Sequence, residues 1–124
     1  MKKWFVADGS LHAVTDGFEL DLRLPWYRSL PLSCIDFGDV RVNGEKVDHD
    51  AITVKLNGKE RKLSELVGQW QEYWFVLDSA FVHIPYKNAK RGEQYQFEIT
   101  VVLHPPYVPK VFFPNTYNQP TLAN

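Results

Sequence analysis

The chain has a single cysteine, Cys34, so no internal disulfide can staple it, and its 124 residues must be held together by a core. Long apolar runs are also missing: no stretch approaches the ~20 consecutive apolar residues of a membrane-spanning helix. Charge of one sign is not in excess, because 14 Lys and Arg stand against 15 Asp and Glu, a formal net charge of −1. Phosphate backbones are bound by clustered positive charge, so nucleic acid is excluded as a main partner. The densest basic run, residues 55–62, contains Glu60 and surrounds Asn57-Gly58, which suits the solvated tip of a hairpin. Met1-Lys2-Lys3 leads straight into WFVADGS, without the apolar segment of a secretion signal. With the lone cysteine, this gives the expectation of a soluble cytoplasmic protein without membrane contact. Helical signals are scarce as well: residues 64–67, with Ser64 as N-cap and Gly68 as stop, support one turn.

What the chain does have is aromatic side chains, 15% of its residues, and eight prolines. Its remaining pattern is strand and turn. Phe18, Leu20, Leu22 and Leu24 alternate with Glu19, Asp21 and Arg23, and side chains on a strand alternate faces, so residues 18–24 form a strand with one buried side. Tyr95, Phe97, Ile99, Val101 and Leu103 predict the longest strand in the same way. Short strands are expected at 4–7, 11–14, 35–42, near 46–47 and at 52–56. Asn43-Gly44 and Asn57-Gly58 have the composition of type I′ hairpin turns and point to an antiparallel meander. The apolar run at 73–77, YWFVL, predicts a strand buried on both faces or at the sandwich centre, with 81–84 as its partner. Short strands about every ten residues with almost no helix indicate an all-β fold, a single antiparallel β-sandwich over residues 1–104. Residues 105–124 carry five prolines and no period, which disfavours a sheet, yet the segment is too apolar for a disordered end. A Pro/aromatic C-terminal tail packed on the domain or on a partner is expected there.

No catalytic constellation emerges. His12, His49, His83 and His104 lack metal-ligand spacing, Cys34 has no local base, and no phosphate loop or nucleophile elbow is present. Asp36, Asp39, Asp48, Asp50, Glu72 and Asp78 offer carboxylates, but strand ends and turns collect such acids in any case. The segment after Leu24 is more informative. Proline cannot sit in a central ladder, so the chain leaves the sheet at Pro25 and enters a stiff loop bearing Trp26, Tyr27, Arg28, Leu30 and Pro31. Loops run near the surface, so this segment is either an intramolecular closure or a contact surface for a partner chain or a sugar. Tyr107, Phe112, Phe113 and Tyr117 in the tail are its companions as candidate contact residues.

The segment RLPWYRSLPLS at 23–33, succeeded by VRVNGEKV at 40–47 and ITVKLNGKERKLSEL at 52–66, resembles the small β subunit of bacterial C-glycoside deglycosidases. The order of elements is similar from about Phe18 to Leu103; Trp26 stands where Tyr is more usual, and the tail after Pro105 matches least. The resemblance implies a β-sandwich accessory subunit in a hetero-oligomer with a larger (β/α)8-barrel subunit. It implies that the complex splits the carbon–carbon bond between a 3-oxo sugar and a flavonoid-like aglycone by elimination. The catalytic groups and a divalent metal would then belong to the barrel, with no cofactor and no catalytic or metal-binding residue on this chain. Contact with the glycoside substrate would come only through residues reaching the partner's site. The alternative, from composition alone, is a stand-alone carbohydrate-binding sandwich in which Trp26, Tyr27 or Trp70 stacks on a sugar ring.

Overall fold

Period-two alternation becomes strands along most of the chain: β1 (Val6–Val14), β2 (Gly17–Arg23), β3 (Leu30–Pro31), β4 (Ile35–Val42), β5 (Glu45–Lys46), β6 (Thr53–Leu56), β7 (Lys59–Lys62), β8 (Tyr73–Trp74), β9 (Ser79–Pro85), β10 (Gln94–Leu103) and β11 (Phe113–Leu122). The computed structural model describes residues 5–26, 28–105 and 112–124, with backbone alone at 7 and 8. One sheet runs β1-β2-β9-β6-β7, a second runs β11-β10-β4-β5, and β3 pairs with β8. Among the described residues every pairing is antiparallel. The all-β expectation therefore holds, and among the described residues no helix is long and apolar enough to cross a membrane.

In β2, Phe18, Leu20 and Leu22 are buried while Glu19 and Arg23 face solvent; in β10, Tyr95, Phe97, Ile99, Val101 and Leu103 point inward. The two sheets meet through these faces. The Phe18 ring lies 4.9 Å from that of Tyr95 and 6.5 Å from that of Phe97, both edge-on. Edge-to-face packing is the favoured arrangement of aromatic quadrupoles. Asn124 ties the sheets at one edge: its N–H donates to the Leu11 carbonyl at 3.0 Å and its carbonyl accepts from Ala13 N–H at 2.9 Å.

Both Asn-Gly turns adopt the left-handed backbone that type I′ requires, with φ of 52° and 82° at Asn43 and Gly44 and of 56° and 74° at Asn57 and Gly58. These hairpins obey a local rule. The sheets do not continue it as a meander, since β9 inserts between β2 and β6 and β10 between β4 and β11. Residues 81–84 thus pair with β2 and β6 rather than with the 73–77 run. The expected separate strands at 4–7 and 11–14 are one strand, β1, whose register shifts between Val6 and Leu11; residue 4 lies outside the described residues. The helical turn expected at 64–67 is a 3₁₀ turn, Leu63–Gly68, with Leu63 and Leu66 on the core. Ser64 is not its cap: the Glu65 carboxylate accepts from Lys62 N–H at 2.7 Å.

The largest departure is in the proline-rich tail. Residues 113–122 do form a sheet strand, the 10-residue β11, paired along its length with β10. Pro114 lies opposite Val102 and Pro120 opposite Gln96, so the two prolines share one parity in the ladder. Proline has no N–H to give, so these positions face the open edge and the residues between them bond to β10. The prolines thereby remove donors from an edge that would otherwise invite another strand.

Candidate functional site

The loop after β2 closes largely on its own chain. Pro25 is buried, and Trp26 N–H donates to the Leu24 carbonyl at 2.8 Å. The Trp26 ring lies 5.0 Å from Phe113, and both are partly buried against the core. Leu30 and Pro31 form β3 and are buried, as is Tyr117, whose hydroxyl is 2.7 Å from Thr121 Oγ1. Arg28 and Phe112 are exposed. Tyr27 and Tyr107 lie outside the described residues. The structure thus joins Trp26 to the tail through Phe113, while placing Leu30, Pro31 and Tyr117 in the interior.

What the loop does is hold a second segment. Through β3 it pairs Leu30 with Trp74 and Pro31 with Tyr73. Ser29 Oγ accepts from Val76 N–H at 2.9 Å, and the Arg23 guanidinium donates to the Leu77 carbonyl at 2.9 Å. Leu32 N–H donates to the Glu72 carbonyl at 2.8 Å and Ser33 N–H to the Gln69 carbonyl at 3.1 Å. The expectation that 73–77 is a strand buried on both faces is overturned. Only Trp74 is fully buried, its indole N–H donating to the Asp78 carbonyl at 2.9 Å. The strand stops after two residues because a turn succeeds it, closed by Asp78 N–H on the Phe75 carbonyl at 2.9 Å. Tyr73, Phe75 and Leu77 are therefore left outside, with the Tyr73 and Phe75 rings stacked at 6.2 Å. Val67 and Trp70, just before them, are also exposed. Sequence reasoning misses this face because no polar residue interrupts 73–77 to show which side is wet. The flanking Gln69, Gln71 and Glu72 are the one hint.

Glu72 clasps this segment to the β6–β7 hairpin. Arg61 holds both carboxylate oxygens, Asn57 Nδ2 donates to Oε2 at 3.1 Å, and Lys59 Nζ stands 3.5 Å away. Asn57 Nδ2 also donates to the Tyr73 carbonyl at 2.9 Å. These bonds, Arg61's first, hold the Glu72 carboxyl at about 2, down from the usual 4.5. Folded protein therefore binds fewer protons at this group than unfolded chain, and its stabilisation is present above pH ~4.5 and lost as pH falls toward ~2. In urea unfolding between pH 5 and 2.5, the wild-type midpoint should fall more steeply than that of Glu72→Gln. Parallel slopes would remove the clasp from the stability account.

The other reactive side chains are committed elsewhere. Burial pushes the Cys34 thiol up, against a smaller lowering by a Ser33 hydrogen bond, so it stays protonated rather than nucleophilic. Lys46 and then Arg41 hold the Asp39 carboxyl down. His83 Nε2 is 3.0 Å from Asp16 Oδ1, and His49 Nε2 is 2.9 Å from the Phe37 carbonyl. Among the described residues, no three His, Cys, Asp or Glu side chains converge to hold a metal ion.

A family model described as "C-glycoside deglycosidase beta subunit" matches residues 2–107. A C-glycoside deglycosidase beta subunit of Arthrobacter globiformis is 34% identical over 97 residues, covering 77% of this chain and 74% of that protein. A 3'-dehydrocarminate deglycosidase beta subunit of a Microbacterium species is 35% identical over 104 residues, 84% of this chain and 78% of its own length. A C-glycoside deglycosidase beta subunit of Microbacterium trichothecenolyticum is 27% identical over 103 residues, 83% and 78% of the two chains.

Proposed function

The chain belongs to the C-glycoside deglycosidase beta subunit family, and from that premise we propose that it is the accessory subunit of a heteromeric C-glycoside deglycosidase. The observation that carries this reading is the family match across residues 2–107, most of the sandwich. In the proposed complex the larger subunit is a (β/α)8 barrel that supplies the catalytic groups and a divalent metal. The substrate is a 3-oxo C-glycoside. Its ketone acidifies the C2 proton; a base on the large subunit removes that proton, the electron pair forms the C1–C2 double bond, and the aglycone leaves from C1 with a proton. This chain contributes contacts from the Pro25–Pro31 loop and the C-terminal segment, where Trp26, Arg28, Phe112 and Phe113 reach or approach the surface. In this reading the chain itself is not catalytic: the Glu72 carboxylate is held by Arg61 and Asn57 and that of Asp39 by Arg41 and Lys46.

Co-expression with the cognate large subunit and size-exclusion chromatography of the product test the reading. A single co-eluting peak that converts a 3-oxo C-glycoside, with no turnover by the small chain alone, is expected; two separate peaks would overturn it. The exposed Trp70 favours one second reading, a stand-alone carbohydrate-binding sandwich. Heat of binding on titrating the isolated chain with glucosides would support that instead.

A further inference from the structure

Between the 3₁₀ turn and β9 the chain turns outward an apolar face that no described residue covers. Val67 is 78% exposed, Trp70 67%, Tyr73 41%, Phe75 54% and Leu77 81%. An aromatic side chain offers about 150–250 Å², so the three rings leave on the order of 350 Å² in water, and Val67 and Leu77 bring the face to roughly 600 Å². That matches the largest patches found on monomers and approaches the ~800 Å² per partner of a standard specific interface.

We propose that residues 67–77 form the face on which this chain docks the catalytic subunit of its complex, with Trp70, Tyr73, Phe75 and Leu77 as the anchors. The proposal rests on the heteromeric reading above and names the surface that serves it. Four observations converge. The apolar area these five side chains leave in water approaches one partner's share of a standard interface. The face is held in place before any partner arrives, since Trp74 is buried beneath it and Ser29, Arg23 and Glu72 fix its backbone or flank. A surface fixed in advance loses less entropy on binding. Its composition is that of an interface core, aromatic and uncharged, with Asn57, Lys59, Arg61 and Glu72 clustered at its flank as a polar rim. Finally, it lies inside the segment matched by the family model, residues 2–107, whereas Phe112 lies outside it. The relatives are named as beta subunits, which points to an unlike partner rather than a second copy. The Pro25–Pro31 loop then acts from beneath, through β3, as the support of this face.

The test compares wild type, Phe75→Asp/Leu77→Asp and, at two exposed residues away from both this face and the Pro25–Pro31 loop, Lys87→Ala/Arg91→Ala, each co-expressed with the cognate large subunit and titrated by surface binding. The first variant should lose at least ~100-fold in affinity while keeping the wild-type urea midpoint; the second should change affinity less than ~10-fold. Should the doubly charged variant fail to fold, Trp70→Ser is the second measurement, expected to lose ~10-fold or more. Wild-type affinity in folded Phe75→Asp/Leu77→Asp or in Trp70→Ser would overturn the face and leave the heteromeric reading intact. Failure of wild type itself to assemble would overturn both. A wild-type homodimer that Phe75→Asp/Leu77→Asp converts to monomer, with the hetero-complex unaffected, would overturn the proposal in favour of a second copy.

Discussion

Gly17→Ala is expected to destabilise the protein by about 3 kcal/mol or more, a large share of the roughly 5–15 kcal/mol that holds a domain folded. Gly17 begins β2 opposite Pro85 of β9, with φ of +156°. A Cβ there would stand 2.1 Å from the Ile84 carbonyl oxygen, 2.8 Å from Tyr86 N and 2.9 Å from Pro85 Cα. All three are backbone atoms, so no flexible side chain can give way. Relief requires moving β9 away from β2, and β2 carries Phe18, Leu20 and Leu22 into the core. Overpacking costs about 1–3 kcal/mol and a strained dihedral about 1–3 more. Gly44 and Gly58 are the controls: their φ values are +82° and +74°, and no atom lies within 4 Å of the added Cβ. Alanine at either should cost only the left-handed penalty, about 1–2 kcal/mol. Urea midpoints at constant slope measure all three. A Gly17→Ala midpoint no lower than that of Gly58→Ala would refute the steric argument.

Much of this fold was legible wherever local chemistry and tertiary environment agree. Phe18, Leu20 and Leu22 alternate because one face of β2 meets the opposite sheet, and Tyr95 to Leu103 alternate for the same reason. Asn43-Gly44 and Asn57-Gly58 announce their turns because few other residues accept positive φ at both positions. The family, too, was readable from the 23–33 segment and its two hairpins. Illegible were the places where a rule depends on which neighbour a strand has. Pro114 and Pro120 argue against a strand only if both of its edges are paired; β11 has one free edge, and the prolines face it. The 73–77 run looks like a core strand by hydropathy alone, but among the described residues β8 has only β3 beside it, and it turns after Trp74. The candidate face is hidden in the sequence for that same reason, whereas the loop beside it is marked by its prolines, Trp26 and Arg28.

Trp74→Ala and Phe75→Ala, one residue apart, should therefore do opposite things. Trp74 is 1% exposed and its indole N–H bonds the Asp78 carbonyl. Truncation empties a large core volume, about 3–5 kcal/mol, and leaves a carbonyl without its donor, about 1 kcal/mol more. Phe75 is 54% exposed and touches Tyr73 on the outer side, so its loss should cost no more than ~1 kcal/mol of stability. In association with the large subunit the order reverses at the level of cause. Phe75→Ala weakens binding with the fold intact, whereas Trp74→Ala weakens it only by loosening the frame that carries Tyr73 and Phe75. Trp74→Phe separates the two contributions. It retains most of the apolar volume and should recover most of the stability, lacking only the Asp78 bond, and it should bind as wild type. If Phe75→Ala proved the more destabilising of the pair, or Trp74→Phe bound as poorly as Phe75→Ala, then Trp74 and not its neighbours would be the contact. The division between a buried anchor and an outward face would then be wrong.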